Sequence, residues 1–153
     1  MKSIKLNYKT AYYLGFSGAI PFILSALSVW IIGDKFLNYL IDGIIIYSFL
    51  IFTFIGAIYW GLVLLNNKNK ISKKFFICSI LPSLCSWVVL FVEILPIIKI
   101  SLAFILFNML VIIERYVFLN HIKLKWFYDL RLKLNILVTM SLLIIIIKLL
   151  NAN

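Results

Sequence analysis

Carboxylates and imidazoles are scarce in this chain. Its 153 residues hold five Asp and Glu against 15 Lys and Arg, with a single His. A zinc site takes three or four His, Cys or carboxylate ligands, and a haem held by two imidazoles needs a second His. His121 stands alone in a basic stretch, so no metal and no cofactor is expected. There is no Ser-His-Asp set, no phosphate-binding Gly-Lys-Ser/Thr loop, no His-Glu-x-x-His helix and no pair of acids inside an apolar run. The chain is not expected to be an enzyme. Cys78 and Cys85 lie about two helical turns apart, roughly 10 Å, too far for a mutual disulfide. They read as small buried apolar side chains.

Charge of either sign is missing from long stretches. Gly43 to Leu65 carries none, and as a helix it would span about 34 Å against a hydrocarbon core of roughly 30 Å. With 65% apolar residues and a mean hydropathy of +1.13, the composition excludes a soluble globular domain. The net charge of +10 does not point to nucleic acid, because the charges sit in the gaps between apolar runs. The partners expected are a bilayer with anionic headgroups at its cytoplasmic face and other membrane proteins.

The pattern predicts one all-α membrane domain over residues 1–153, a polytopic bundle of five transmembrane helices at about 11–32, 43–65, 75–94, 96–113 and 134–150. The first run follows Lys2, Lys5 and Lys9, as in a signal peptide. At 22 residues, with no small-x-small cleavage site after it, it reads instead as an uncleaved first helix. Residues 33–42, with Asp34, Lys35 and Asp42, read as a loop. Residues 66–74 hold four lysines and no acid. Pro96 is placed to open the fourth helix, since proline suits the first turn. Residues 114–133 alternate basic side chains with aromatics, a mixture suited to the headgroup zone, and read as a cytoplasmic segment lying partly in the interface. With the amino terminus cytoplasmic, 12 of the 15 Lys and Arg fall on the cytoplasmic side, as the positive-inside bias requires. The carboxyl terminus is then periplasmic, and the protein is a multi-pass protein of the bacterial inner membrane.

The candidate packing and cavity residues come from the first three helices. Pro21 frees the carbonyl of Ser17, which a neighbouring helix, a hydroxyl or water must satisfy. Thr53, Gly56, Ala57 and Trp60 form one stripe, with Gly61 at its edge, where a second helix can approach closely. Ser79, Ser83 and Ser86 make a polar seam around Pro82. Tyr59 and Trp60 fit either an aromatic belt or the wall of a cavity. Trp87 fits either a packed core or the same wall. Glu114 and Arg131 are placed either to pair across the last connection at headgroup level or to remain solvated.

Several of these residues recur together in a pattern that resembles a known family. They are Pro21-Phe22, Tyr47 with the block Phe54 to Gly61, Pro82-Ser83-Leu84 with Trp87, and Trp126 to Arg131. The chain resembles the small, uncharacterised integral-membrane group that includes mitochondrial transmembrane protein sixty-nine and proteobacterial relatives. That family has a Gly-x-His-Trp-Gly stretch in its second helix, and Tyr59 stands here in place of the His. A phenol keeps its proton at neutral pH and cannot replace an imidazole as ligand or proton carrier. The resemblance implies architecture and a membrane location, not a mechanism.

Two functions fit these features. The leading one is a non-enzymatic accessory or assembly factor of a membrane complex. The alternative is a small carrier or lipid- or quinone-binding protein, with a cavity between the first three helices lined by Tyr59, Trp60, Ser79, Ser83, Ser86 and Trp87.

Overall fold

A computed structural model describes residues 8–65, 73–118 and 125–151. They form five helices: α1 Tyr8–Ser28, α2 Asp34–Leu65, α3 Lys73–Phe91, α4 Pro96–Phe118 and α5 Lys125–Asn151. There is no strand among the described residues. Four helices are long and apolar enough to cross a membrane, over Tyr8–Ser28, Lys35–Gly61, Pro96–Arg115 and Lys125–Asn151. The apolar part of α3, Ser79–Phe91, is shorter. This is the profile of a multi-pass membrane protein, in which each helix satisfies its own backbone where water is absent. Lys2, Lys5, most of the lysine-rich loop 66–74, and His121 lie outside the described residues.

Two helices start earlier than the charges suggest. Residues 34–42 are not a loop but the first turns of α2, and the connection from α1 shrinks to Val29–Gly33. The reason is an apolar face at helical spacing: Leu37, Leu40, Ile41 and Ile44 turn inward while Lys35 and Asp42 stay exposed. At 32 residues α2 is about 48 Å long, well beyond the thickness of a hydrocarbon core. Likewise, 114–118 continue α4 and 125–133 open α5, so those residues form no separate interfacial helix. Phe127, Leu130, Leu134 and Val138 supply the inward stripe that draws this stretch into the bundle. Pro96 does open α4.

The helices pack in a ring. α5 lies between α1 and α4, α2 packs on α4 and more lightly on α1, and α3 sits on the outer side of α2. The ring centre is aromatic: Phe22, Phe52 and Phe107 are buried, and Phe107 meets the other two edge-on, each at a centroid distance of 6.1 Å. Tyr8 meets Trp126 at the start of α1 and α5, and Lys148 in the last turn of α5 lies over the Trp30 ring just past the end of α1. These two helices therefore run parallel. Trp60 against Phe76 joins the end of α2 to the start of α3, and Glu114 against Arg131 joins the end of α4 to the start of α5.

Candidate functional site: a cavity beside a buried ion pair

Proline and glycine shape the contact between α2 and α3. A Cβ on Gly56 would stand 2.8 Å from Pro82 Cγ and 3.0 Å from the Ser79 carbonyl oxygen, so the Pro82 ring fills the notch that Gly56 leaves. Beside it, Ser86 Oγ lies 2.7 Å from the Pro82 carbonyl, 3.2 Å from the Phe49 carbonyl and 3.1 Å from Thr53 Oγ1. Thr53 Oγ1 is itself 2.9 Å from the Phe49 carbonyl. Each hydroxyl has one proton, so Thr53 donates to Ser86 or to Phe49, and Ser86 passes its own proton to a carbonyl of α2 or α3. Interhelical hydroxyl bonds of this kind contribute about 0.6 kcal/mol each in membrane bundles. Ser86→Ala is accordingly expected to cost no more than about 1 kcal/mol, read as a small fall in the midpoint of unfolding in mixed detergent.

The other predicted residues divide. Tyr59 is buried in the core, and Trp60 is part exposed and packs edge-on to Phe76 of α3. A Cβ on Gly61 would meet no described residue within 4 Å, so no described helix approaches there. Ser79 and Ser86 face α2, whereas Ser83 points outward. Trp87 is 65% exposed and stacks on Phe91 along the outer side of α3, so it is not a core residue. The polar seam is split between two faces, because Ser79 and Ser86 are seven residues apart and Ser83 lies off their common line. Near Pro21, the Tyr47 hydroxyl donates to the Gly18 carbonyl at 2.8 Å, so a side chain of α2 supplements the backbone bonding at the break in α1.

The polar cluster lies on the other side of the ring. Arg131 Nε donates to Glu114 Oε1 at 3.0 Å, and Glu114 is only 1% exposed. The pair is inside the bundle rather than at a solvated boundary, because α4 and α5 both extend past it. Only half of the guanidinium fork is engaged: Glu114 Oε2 and Arg131 Nη2 are buried without a hydrogen-bond partner. One helical turn along α5, Asn135 Nδ2 faces Asn108 Oδ1 at 3.4 Å, and Asn108 Nδ2 donates to the Phe104 carbonyl at 2.8 Å. Asn135 Oδ1 is buried and likewise unpartnered.

Arg131 and Asn135 both line a cavity of about 290 Å³ between α1, α2 and α5, with Phe107 of α4 at its base. The small residues Gly15, Gly18 and Ala19 of α1 leave this space, and apolar side chains such as Ile51, Ile55 and Val138 form most of its wall. Leu14 and Phe54 line the cavity and are also exposed on the outer surface, which gives it a lateral mouth. This cavity is not the one expected between the first three helices. None of Tyr59, Trp60, Ser79, Ser83, Ser86 or Trp87 lines this one. The asparagines were the missed signal: amides within apolar runs, on two helices, that have to find partners.

A family model described as a protein of unknown function, DUF3429, matches residues 7–147. No curated protein and no solved structure matches the chain.

Proposed function

The chain belongs to the DUF3429 family, proteins of unknown function, and from that premise we propose a non-enzymatic membrane protein that binds a bilayer-dissolved amphiphile in the cavity between α1, α2 and α5. One observation carries this reading: a cavity of about 290 Å³ with a lateral mouth is lined almost wholly by apolar side chains, with Arg131 and Asn135 together on its α5 side. Binding sites for small molecules have that composition, mostly apolar with a few polar groups that orient the ligand. Glu114, the one buried carboxylate among the described side chains, is engaged by Arg131 and is poorly placed to move protons. The test is native mass spectrometry of the protein released from lipid nanodiscs. Wild type is expected to carry a small lipophile, and Gly18→Leu to lose it at least tenfold. Among the described residues a Cβ at Gly18 meets only the Tyr47 hydroxyl, at 4.0 Å, so the variant can fill the cavity without breaking the helix. Equal retention by both proteins would contradict the reading.

The same proposal takes the chain across the membrane five times, amino terminus in the cytoplasm and carboxyl terminus outside, in a bacterial inner membrane. Helix direction supports it, since parallel α1 and α5 require an even number of crossings from α1 through α4. The 19 residues of α3 reach about 28 Å, close to a bilayer core. Labelling of both termini should find them on opposite sides. The likeness to mitochondrial transmembrane protein sixty-nine is part of this proposal, resting on the residues quoted for it.

A second reading, an accessory or assembly factor, is favoured by the outer face of α3. Leu84, Trp87, Val88 and Phe91 are exposed there, and α3 packs on α2 alone among the principal helix contacts. Under this reading the protein co-purifies in mild detergent with a larger assembly, and Trp87→Ala with Phe91→Ala releases it. Recovery as a lone monomer under several gentle conditions would count against it.

A further inference from the structure

Resting on the proposed function, we infer that the cavity reads its ligand by the tail. It takes one linear hydrocarbon chain of a lipid or fatty acid, chain first, from the leaflet at the end of the bundle where Tyr8 meets Trp126, and leaves the polar head at that end.

Depth assigns the leaflet. Tyr8 meets Trp126 at one end of the parallel helices α1 and α5, and Lys148 lies over Trp30 at the other. The two contacts are equal intervals apart along both helices, about 33 Å. Aromatic rings and snorkelling lysines suit the two headgroup levels of a bilayer. The cavity lining runs from Ala11 to Phe22 on α1 and from Phe127 to Val138 on α5. These are again equal intervals, about 16 Å. Both begin within one turn of the contact between Tyr8 and Trp126. The cavity thus takes up one half of the bundle's height, and half of a hydrocarbon core is about 15 Å. On the topology proposed above, that half is the cytoplasmic leaflet. The lateral mouth at Leu14 and Phe54 opens in the same half, so it faces acyl chains.

Width assigns the chain. About 290 Å³ spread over about 16 Å leaves a mean cross-section of about 18 Å², the width of one extended hydrocarbon chain. At about 30 Å³ for a water-sized group, the same volume holds roughly ten methylenes. A second chain, or a globular cage, would have to part the walls, which is overpacking. The head finds no comparable hold. Arg131 Nε and Asn135 Nδ2 are turned to Glu114 and Asn108 of α4, while Arg131 Nη2 and Asn135 Oδ1 are sealed from solvent. A head drawn inside would lose its water without replacement. A chain exchanges lipid neighbours for protein ones, and fills a void whose lining otherwise lacks contacts.

The experiment uses the full-length protein in zwitterionic nanodiscs at alkaline pH, with four radiolabelled probes. Undecanoate, 1-undecanol and undecyltrimethylammonium share one chain, and 1-adamantanecarboxylate places a compact cage on the head of undecanoate. Retention is read per probe dissolved in the bilayer, over that of empty nanodiscs. The three chains are expected within about threefold of one another, and undecanoate at least tenfold above the cage. Undecanoate with a diazirine at its chain end should cross-link on illumination to Phe22, Phe107 or Val138 in preference to Ala11 or Phe127. The mass of the occupant carried out of the nanodiscs tells a free fatty acid from a phospholipid with one chain inserted, and either supports the inference. Equal retention of cage and chain, or a tenfold preference among the three heads, would overturn it while leaving the proposed function standing. Cross-links confined to Ala11 and Phe127 would overturn the chain-first entry. Retention of none of the four would overturn the proposed function itself.

Discussion

Glu114→Leu, with Arg131 left in place, is expected to destabilise the bundle by about 3–5 kcal/mol. The guanidinium of Arg131 would then keep its charge in a site where Glu114 is 1% exposed and its own residue 8% exposed. No other acidic side chain among the described residues forms a salt bridge with it. The double variant Glu114→Leu with Arg131→Met is expected to be far milder, because it removes both charges and keeps the volume. The pair makes a single contact, and two of its buried polar atoms are unmatched. Its desolvation is therefore poorly offset, and wild type gains little from it as stability. Unfolding midpoints of the four proteins, in one detergent mixture, separate the cases. If Glu114→Leu is as stable as wild type, the pair is solvated and the polar wall of the cavity is not what the structure indicates. A buried pair that contributes little to stability is a mark of function when it lies within a membrane span.

The second large effect belongs to Gly56. Gly56→Leu is expected to push α3 off α2 and to cost about 3 kcal/mol or more, since overpacking a tight contact costs about 1–3 kcal/mol and this one has backbone on one side. Its Cβ would stand 3.0 Å from the Ser79 carbonyl oxygen as well as 2.8 Å from the Pro82 ring, and a carbonyl in a helix cannot swing away. Gly61→Ala is the control. A Cβ there meets no described residue within 4 Å, and the better helix propensity of Ala should leave it neutral or stabilised by up to about 1 kcal/mol. Combining Gly56→Ala with Pro82→Ala should recover part of the loss from Gly56→Ala alone, because the ring atoms are then gone. Equal effects at Gly56 and Gly61 would mean that α3 does not pack here.

Much of the architecture was legible because lipid leaves few alternatives. An apolar run of span length must be helical, Pro96 must sit in a first turn, and Gly56 in a stripe of small residues invites a close neighbour. The early starts of α2 and α5 were hidden by Asp34, Lys35 and Asp42 in one case and by the basic and aromatic run in the other. Both stretches are amphipathic, with apolar residues at 37, 40, 41 and 44 and at 127, 130, 134 and 138 carrying the inward face. Charge counting sees the outward face alone. The site was less legible. Serines and tryptophans drew attention to α3, where Ser83 and Trp87 point outward, while the cavity arises from what Gly15, Gly18 and Ala19 lack. Which helix lies opposite those glycines depends on the ring order, and no local pattern encodes that. The partnership of Glu114 and Arg131 was visible as opposite charges flanking one connection. Its burial was not, because that depends on both helices continuing past it.

An experimental structure of the full-length protein in lipid nanodiscs tests the central claim most directly. The account predicts elongated non-protein density between α1, α2 and α5, its polar end on the side lined by Arg131 and Asn135. A cavity closed by α1 resting against α2, with the Glu114 carboxylate and Arg131 turned to solvent, would contradict it.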